Sequence, residues 1–162
     1  MPVTVIANRA VSSEHRCSIE IPTGWEVRDV FRAALGVEDP DAIINLAPKT
    51  AQLPNIEITN GGKVSNPSPE EARKFAHRLL GRMGWPIIEE RTLTVSGYPA
   101  YEVSYQRKSP WWMFWTFHDR RKHHCKVSVV RDEQEYLIQL AVENWPADKE
   151  LFDRCVQSFQ FT

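Results

Sequence analysis

Apolar and polar positions alternate and repeat along this chain in patterns that assign most of its elements. Cys17, Ile19 and Ile21 alternate with Ser18 and Glu20, the period-two pattern of a half-buried strand, and Pro22, Thr23 and Gly24 stop it before Trp25. Residues 3–7 form a short apolar run expected to pair with that strand. Val27, Val30, Phe31, Ala34 and Leu35 then fall at helical spacing with Gly36 as a natural stop, so a short helix is expected there. Residues 42–46 and 56–59 read as strands, divided by a loop that holds Pro48 and Pro54 and closed by a turn at Asn60, Gly61 and Gly62.

Ser68, Pro69, Glu70 and Glu71 predict a helix start. The Ser68 hydroxyl accepts from the Glu71 amide, the Glu71 carboxylate reaches back, and proline sits at the first helical position. Ala72, Phe75, Ala76, Leu79, Leu80 and Met83 follow as one apolar stripe, with Arg73, Lys74, His77, Arg78 and Arg82 outside it, and Gly84 ends the helix. Residues 87–95 and 98–107 about Ser96 and Gly97 read as a hairpin with Tyr101, Val103 and Tyr105 on one face. Residues 126–131 and 135–143, about a polar turn at 132–134, give a second. A final helix over 147–157 gathers Leu151, Phe152, Cys155, Val156 and Phe159 on one side. Phe75, Leu79, Leu80, Phe152, Val156 and Phe159 are thus expected to be buried against the sheet. Strand runs joined by hairpins, with two long helices, imply an α+β fold: a mainly antiparallel sheet covered by helices, and not a doubly wound one.

Composition adds limits. The 162 residues carry 20 Lys plus Arg against 21 Asp plus Glu, a net charge of −1, which describes one ordinary globular domain over residues 1–162 with no global attraction for nucleic acid or anionic membrane. A chain of this length buries about 70% of its unfolded surface and needs neither disulfide nor metal. Three cysteines, Cys17, Cys125 and Cys155, cannot all pair, and they read as buried thiols. The longest apolar stretch, 111–117, is far short of the roughly 20 residues of a membrane-spanning helix. Residues 3–7 are too short for a secretory segment, so a cytoplasmic location is expected.

Little in the chain points to catalysis. Gly61, Gly62 and Lys63 resemble a phosphate loop only superficially, because the first glycine is missing and Val64 follows the lysine. Glu89, Glu90 and Glu102 show no sign of a shared pocket. His118, Asp119, His123, His124 and Cys125 are five ligand-type side chains within eight residues. Zinc spacing is absent, however, Arg120, Arg121 and Lys122 repel a cation, and adjacent histidines on a strand point to opposite faces. Solvated hairpin histidines are the simpler reading. A Cys125 nucleophile with His123 as base lacks a third orienting group.

The unusual segment is 108–122. Trp111, Trp112, Phe114, Trp115 and Phe117 are five aromatics within seven residues, and residues 107–131 hold seven Lys or Arg against Asp119 alone. Five aromatics of about 150–250 Å² each exceed the largest apolar patch of a typical monomer. Their destinations are the protein's own core, a protein partner or second copy, a membrane surface, or single-stranded nucleic acid. The aromatics precede the basic run and do not interleave with it, which disfavours nucleic acid and favours a hydrophobic target.

The run Ile19 to Trp25 (IEIPTGW), the segment NIEI ahead of a capped helix, TVSGYPAYEVSY, and a closing helix ending in Ser158 and Phe159 together resemble the superfamily of the photosystem II extrinsic protein PsbP, the Ran-binding Mog proteins and the bacterial DcrB-like proteins. The resemblance implies an α-β-α sandwich that binds proteins or serves as an accessory subunit, without shared catalytic residues or a cofactor. It does not extend to the helix-like stretch after Trp25 or to 107–126. The expectation is a non-enzymatic interaction, accessory or adaptor module. Trp111, Trp112, Met113, Phe114, Trp115 and Phe117 would be its apolar contacts, with Arg120, Arg121 and Lys122 as the charged rim. The alternatives are a membrane-surface or chaperone-like protein for hydrophobic segments and, further off, a small metal-dependent hydrolase.

Overall fold

The computed structural model describes residues 3–28, 31–32, 37–38, 41–51, 54–107, 123–142, 145 and 147–162. In chain order the elements are β1 (Thr4–Ile6), β2 (Arg9–Ser12), β3 (Cys17–Glu20), β4 (Trp25–Val27), β5 (Phe31–Arg32), β6 (Val37–Glu38), β7 (Ala42–Pro48), β8 (Asn55–Lys63), α1 (Pro69–Met83), β9 (Ile87–Val95), β10 (Tyr98–Gln106), β11 (His123–Arg131), β12 (Gln134–Val142), α2 (Ala147–Ser158) and β13 (Gln160–Phe161). The central sheet is antiparallel, in the order β4-β7-β8-β12-β11-β10-β9, and a four-stranded sheet runs β1-β2-β3-β13. The α+β expectation therefore holds. One face of the large sheet is covered jointly by α2 and the small sheet, and the other by α1.

The period-two pattern of the central strands decides which side chains reach which layer. On β10, Tyr101 and Val103 face α1, while the neighbouring Ala100 joins the main core of Ile44, Ile58, Val127, Ile138, Phe152 and Phe159. The β9–β10 turn at Ser96 and Gly97 has φ of 51° and 84°, the left-handed pair that a two-residue hairpin with the native twist requires.

Four local expectations are corrected. The helix expected at 27–35 is absent from its described residues: Trp25–Val27 is a strand paired with β7, and β5 pairs with β6. Val and aromatic residues suit a strand, and pairing with β7 overrides the helical spacing. Residues 3–7 do not pair with β3, because β2 lies between β1 and β3. The turn that separates β1 from β2 is made by Ala7 and Asn8 at φ of 46° and 63°, with no glycine to announce it. Asn60, Gly61 and Gly62 do not close β8 but continue it, and Gly61 is the extra residue of a bulge in which Tyr136 faces Asn60 and Glu135 faces Gly62. A Cβ on Gly61 would come within 2.5 Å of the Glu135 carboxylate, so the close strand approach needs glycine.

The fourth concerns α1. Its start is as expected: the Ser68 hydroxyl accepts from the Glu71 amide at 3.2 Å and Pro69 opens the helix, although the Glu71 carboxylate takes Lys74 at 2.8 Å instead of reaching back. Gly84, at φ 67°, ends it. The α2 stripe is buried through Phe152, Cys155 and Val156, as is Phe159 just beyond it. On α1, Leu80 is buried, but Phe75 and Leu79 are 52% and 42% exposed. The apolar stripe consists of two rows at spacing four. Ala72, Ala76 and Leu80 dock, the alanines allowing close approach to Tyr101 and Val103. Phe75, Leu79 and Met83 form the next row and stay exposed, because the sheet offers α1 only a narrow apolar strip.

Candidate partner-binding site

Phe75 and Leu79 of the exposed row of α1 overhang a groove of about 840 Å³. One wall is α1, with Phe75, Arg78 and Leu79. The floor is the outward face of β10, β11 and β12, with Val103, Lys126, Ser128, Val130, Glu135 and Leu137. The groove starts beside Lys63 and Ser68 at the first turn of the helix and ends at Trp85 beyond its last turn. It therefore follows α1 for about 22 Å at 1.5 Å per residue. A trough of this shape suits a chain segment better than a compact small molecule.

An aromatic ladder closes the far end. Trp85 stacks on Tyr105 at 5.8 Å, Tyr105 stacks on His124 at 5.4 Å, and the Arg107 guanidinium lies 5.5 Å from the Trp85 ring centre. Arg107 follows β10 and His123 opens β11 next to His124 of this ladder. On the opposite side α1 is tied to β9 by Glu90. Its carboxylate accepts from Tyr101 Oη at 2.6 Å and from Arg73 Nε at 3.1 Å, and pairs with His77 Nε2 at 2.6 Å. Tyr101 first, then His77 and Arg73, hold the Glu90 carboxyl down at about 2.

Neither a protein-family model nor a curated protein sequence matches the chain. Solved structures do. Cyanobacterial PsbP (CyanoP) from Synechocystis sp. PCC 6803 superposes with a TM-score of 0.65 at 16% identity, over 97% of this chain and 94% of its own. A point mutant of the protein Mog1 gives 0.60 at 11% identity, covering 90% of each chain. The chain has a PsbP/Mog-like fold. A protein of unknown function from Pseudomonas aeruginosa, PA94, titled a putative regulator, shares it at a TM-score of 0.53 and 12% identity, over 94% of this chain and 96% of its own.

In this PsbP/Mog-like chain the site residues expected from the sequence, Trp111, Trp112, Met113, Phe114, Trp115, Phe117, Arg120, Arg121 and Lys122, lie outside the described residues, as do His118 and Asp119. The residues flanking them are placed. His124 and His123 point to opposite faces, His124 onto Tyr105 and His123 onto Trp145 at 5.5 Å. Among the described residues no three His, Cys, Asp or Glu side chains gather as a metal site requires. Cys125 shares the inner face, where it accepts from the Ser104 hydroxyl at 3.3 Å, and burial pushes its thiol pKa well up. A thiol held protonated is a poor nucleophile. Glu90 and Glu102 lie on opposite faces of the sheet. Glu102 is buried and meets Lys149 at 2.9 Å and Arg91 at 3.0 Å, and Asp153 also contacts both cations. Lys149 keeps a raised pKa because its bonds to Asp153 and Glu102 outweigh its burial. This network pins the first turns of α2 to β10, a structural task.

The groove was hidden from the sequence because both rows of α1 are apolar. The fine signal was that one row holds two alanines and the other Phe, Leu and Met.

Proposed function

We propose that residues 1–162 act as one non-enzymatic protein-interaction module that receives a segment of a partner along the α1 groove. The observation that carries this reading is the exposed pair Phe75 and Leu79 on the wall of an open trough of about 840 Å³. Contiguous exposed apolar surface rimmed by polar residues marks interaction sites, unlike singly scattered apolar side chains. The composition of 108–122 supports a second set of anchors. Trp111, Trp112, Met113, Phe114, Trp115 and Phe117 are the side chains that interface centres favour, Arg120, Arg121 and Lys122 are suited to its rim, and Arg107, the described residue before the segment, lies against Trp85 at one end of the groove.

The test is site-specific photo-crosslinking in an extract of the source cell, with a photoreactive phenylalanine at position 79, at position 112, or at Val5 on the small sheet as a control. Positions 79 and 112 should yield the same adduct and position 5 should not. The reading fails if position 79 gives no adduct beyond those of position 5. An adduct between two copies of the chain would make the module a homodimer.

A further inference from the structure

The groove carries a charge pattern that its apolar row does not explain. Lys63, Lys74, Arg78 and Lys126 line it against Glu71 and Glu135. Both carboxylates are engaged within the protein: Glu71 accepts from Lys74 at 2.8 Å, and Glu135 accepts from the Ser128 hydroxyl. Lys63 and Arg78 form no ion pair among the described residues, and Arg78 lies over the Phe75 ring at 5.7 Å. Lys126 sits on the floor, where burial lowers its pKa and Glu135 is the charge that opposes the shift. The lining thus holds four cations against two carboxylates, with Lys74 paired to Glu71, Lys126 under the influence of Glu135, and Lys63 and Arg78 as its surplus positive charge.

The geometry of the outer layer adds the shape of the occupant. Strands lie about 4.8 Å apart, and a helix about 10 Å across covers roughly two of them. The docked row of α1 packs on Tyr101 and Val103 of β10, which leaves Leu137 on β12 and Val130 on β11 only half-buried beside it. A second helix at the usual separation of about 8–10 Å from α1 would lie over β11 and β12. Phe75 and Leu79 would then form its side wall and Leu137 its floor.

Taking the groove as the docking surface proposed above, we propose that its occupant is an acidic amphipathic helix of a partner protein, about four turns long. The apolar stripe of that helix rests on Phe75, Leu79 and Leu137, and its carboxylates meet Lys63, Arg78 and Lys126. A carboxylate at Lys126 restores the solvation that burial removes. Carboxylates at Lys63 and Arg78 fix the register of a segment whose apolar contacts alone would allow it to slide.

The probe is a pair of model helices of about 15 residues with one shared Leu/Ala stripe, one with Glu and one with Lys on the polar face, titrated into the full chain by fluorescence anisotropy and by amide NMR. The Glu helix should bind about tenfold or more tighter, shift the amides of Lys126, Val130 and Leu137, and lose most of its preference between about 50 and 500 mM salt. Lys63→Glu with Arg78→Glu changes two exposed side chains and should reverse the preference. Equal binding of both helices at these residues overturns the acidic chemistry and leaves the docking reading standing. Binding of neither helix to a monomeric chain sinks both. A dimer that Phe75→Ser with Leu79→Ser dissolves, or capture by vesicles of phosphatidylserine and phosphatidylcholine without peptide binding, also overturns the proposal, in favour of self-association or lipid.

Discussion

Glu90 concentrates in one carboxylate what holds α1 to the edge of the sheet. The helix contributes Arg73 and His77 and β10 contributes Tyr101, with Glu70 paired to Arg73 at the rim. Folding moves the Glu90 pKa from 4.5 down to about 2, so the folded state favours the carboxylate. The corresponding stability is complete above the ordinary carboxylate range and is lost as the pH falls toward the folded value. Glu90→Gln should therefore melt below the wild type at pH 6, and the gap should close as the pH falls from about 4.5 to 2. Melting curves across that range check this. A gap unchanged at the acid end would show that Glu90 acts through shape and not charge.

At the level of the element, α1 gives two adjacent leucines opposite roles. Leu80→Ala removes a buried side chain from the small cluster with Tyr101 and Val103 and should cost about 2–5 kcal/mol. Leu79→Ala, on the exposed row, should cost about 0.5 kcal/mol or less. Chemical denaturation of the two variants decides, and equal losses would mean that the Leu79 row is covered in solution. How far the sequence could anticipate this depends on how local each cause is. Ser68, Pro69 and Gly84 marked the ends of α1 because capping is chemistry among neighbours, and Ser96 with Gly97 marked a hairpin because the turn needs left-handed backbone. Val27 misled because the strand that holds it exists through β7, some twenty residues away, and the Ala7–Asn8 turn went unseen because neither residue is glycine. The groove depends on how narrow an apolar strip Tyr101, Val103 and Tyr105 present, and α1 hints at it only through the two alanines of its docked row. Segment 108–122 announced itself by composition, and its part in the function stands as a proposal.

Across the whole molecule the two faces of the central sheet are unequally secured. Beneath it, α2 and the small sheet share the main core, three buried thiols among it. The Arg91, Glu102, Lys149 and Asp153 network fastens α2, and Arg9 donates to the Ser158 carbonyl at 2.6 Å, joining one end of the chain to the other. Above it, α1 rests on one row of two alanines and a leucine and on a partly exposed carboxylate. No helix among the described residues is long and apolar enough to cross a membrane, and α1 is the one that carries an uncovered apolar row. That asymmetry has a consequence in time. The smaller cluster under α1 predicts a separate unit of stability, whose amides should exchange with deuterium through an opening that leaves β8, β12 and α2 protected. Exchange followed by mass spectrometry should show residues 69–83 releasing protection well before 134–142, and a single common rate would mean that the layers open together. With such an opening the trough would gain an adjustable width, and under the proposed docking one surface would admit helices of differing girth without unfolding the protein that holds them.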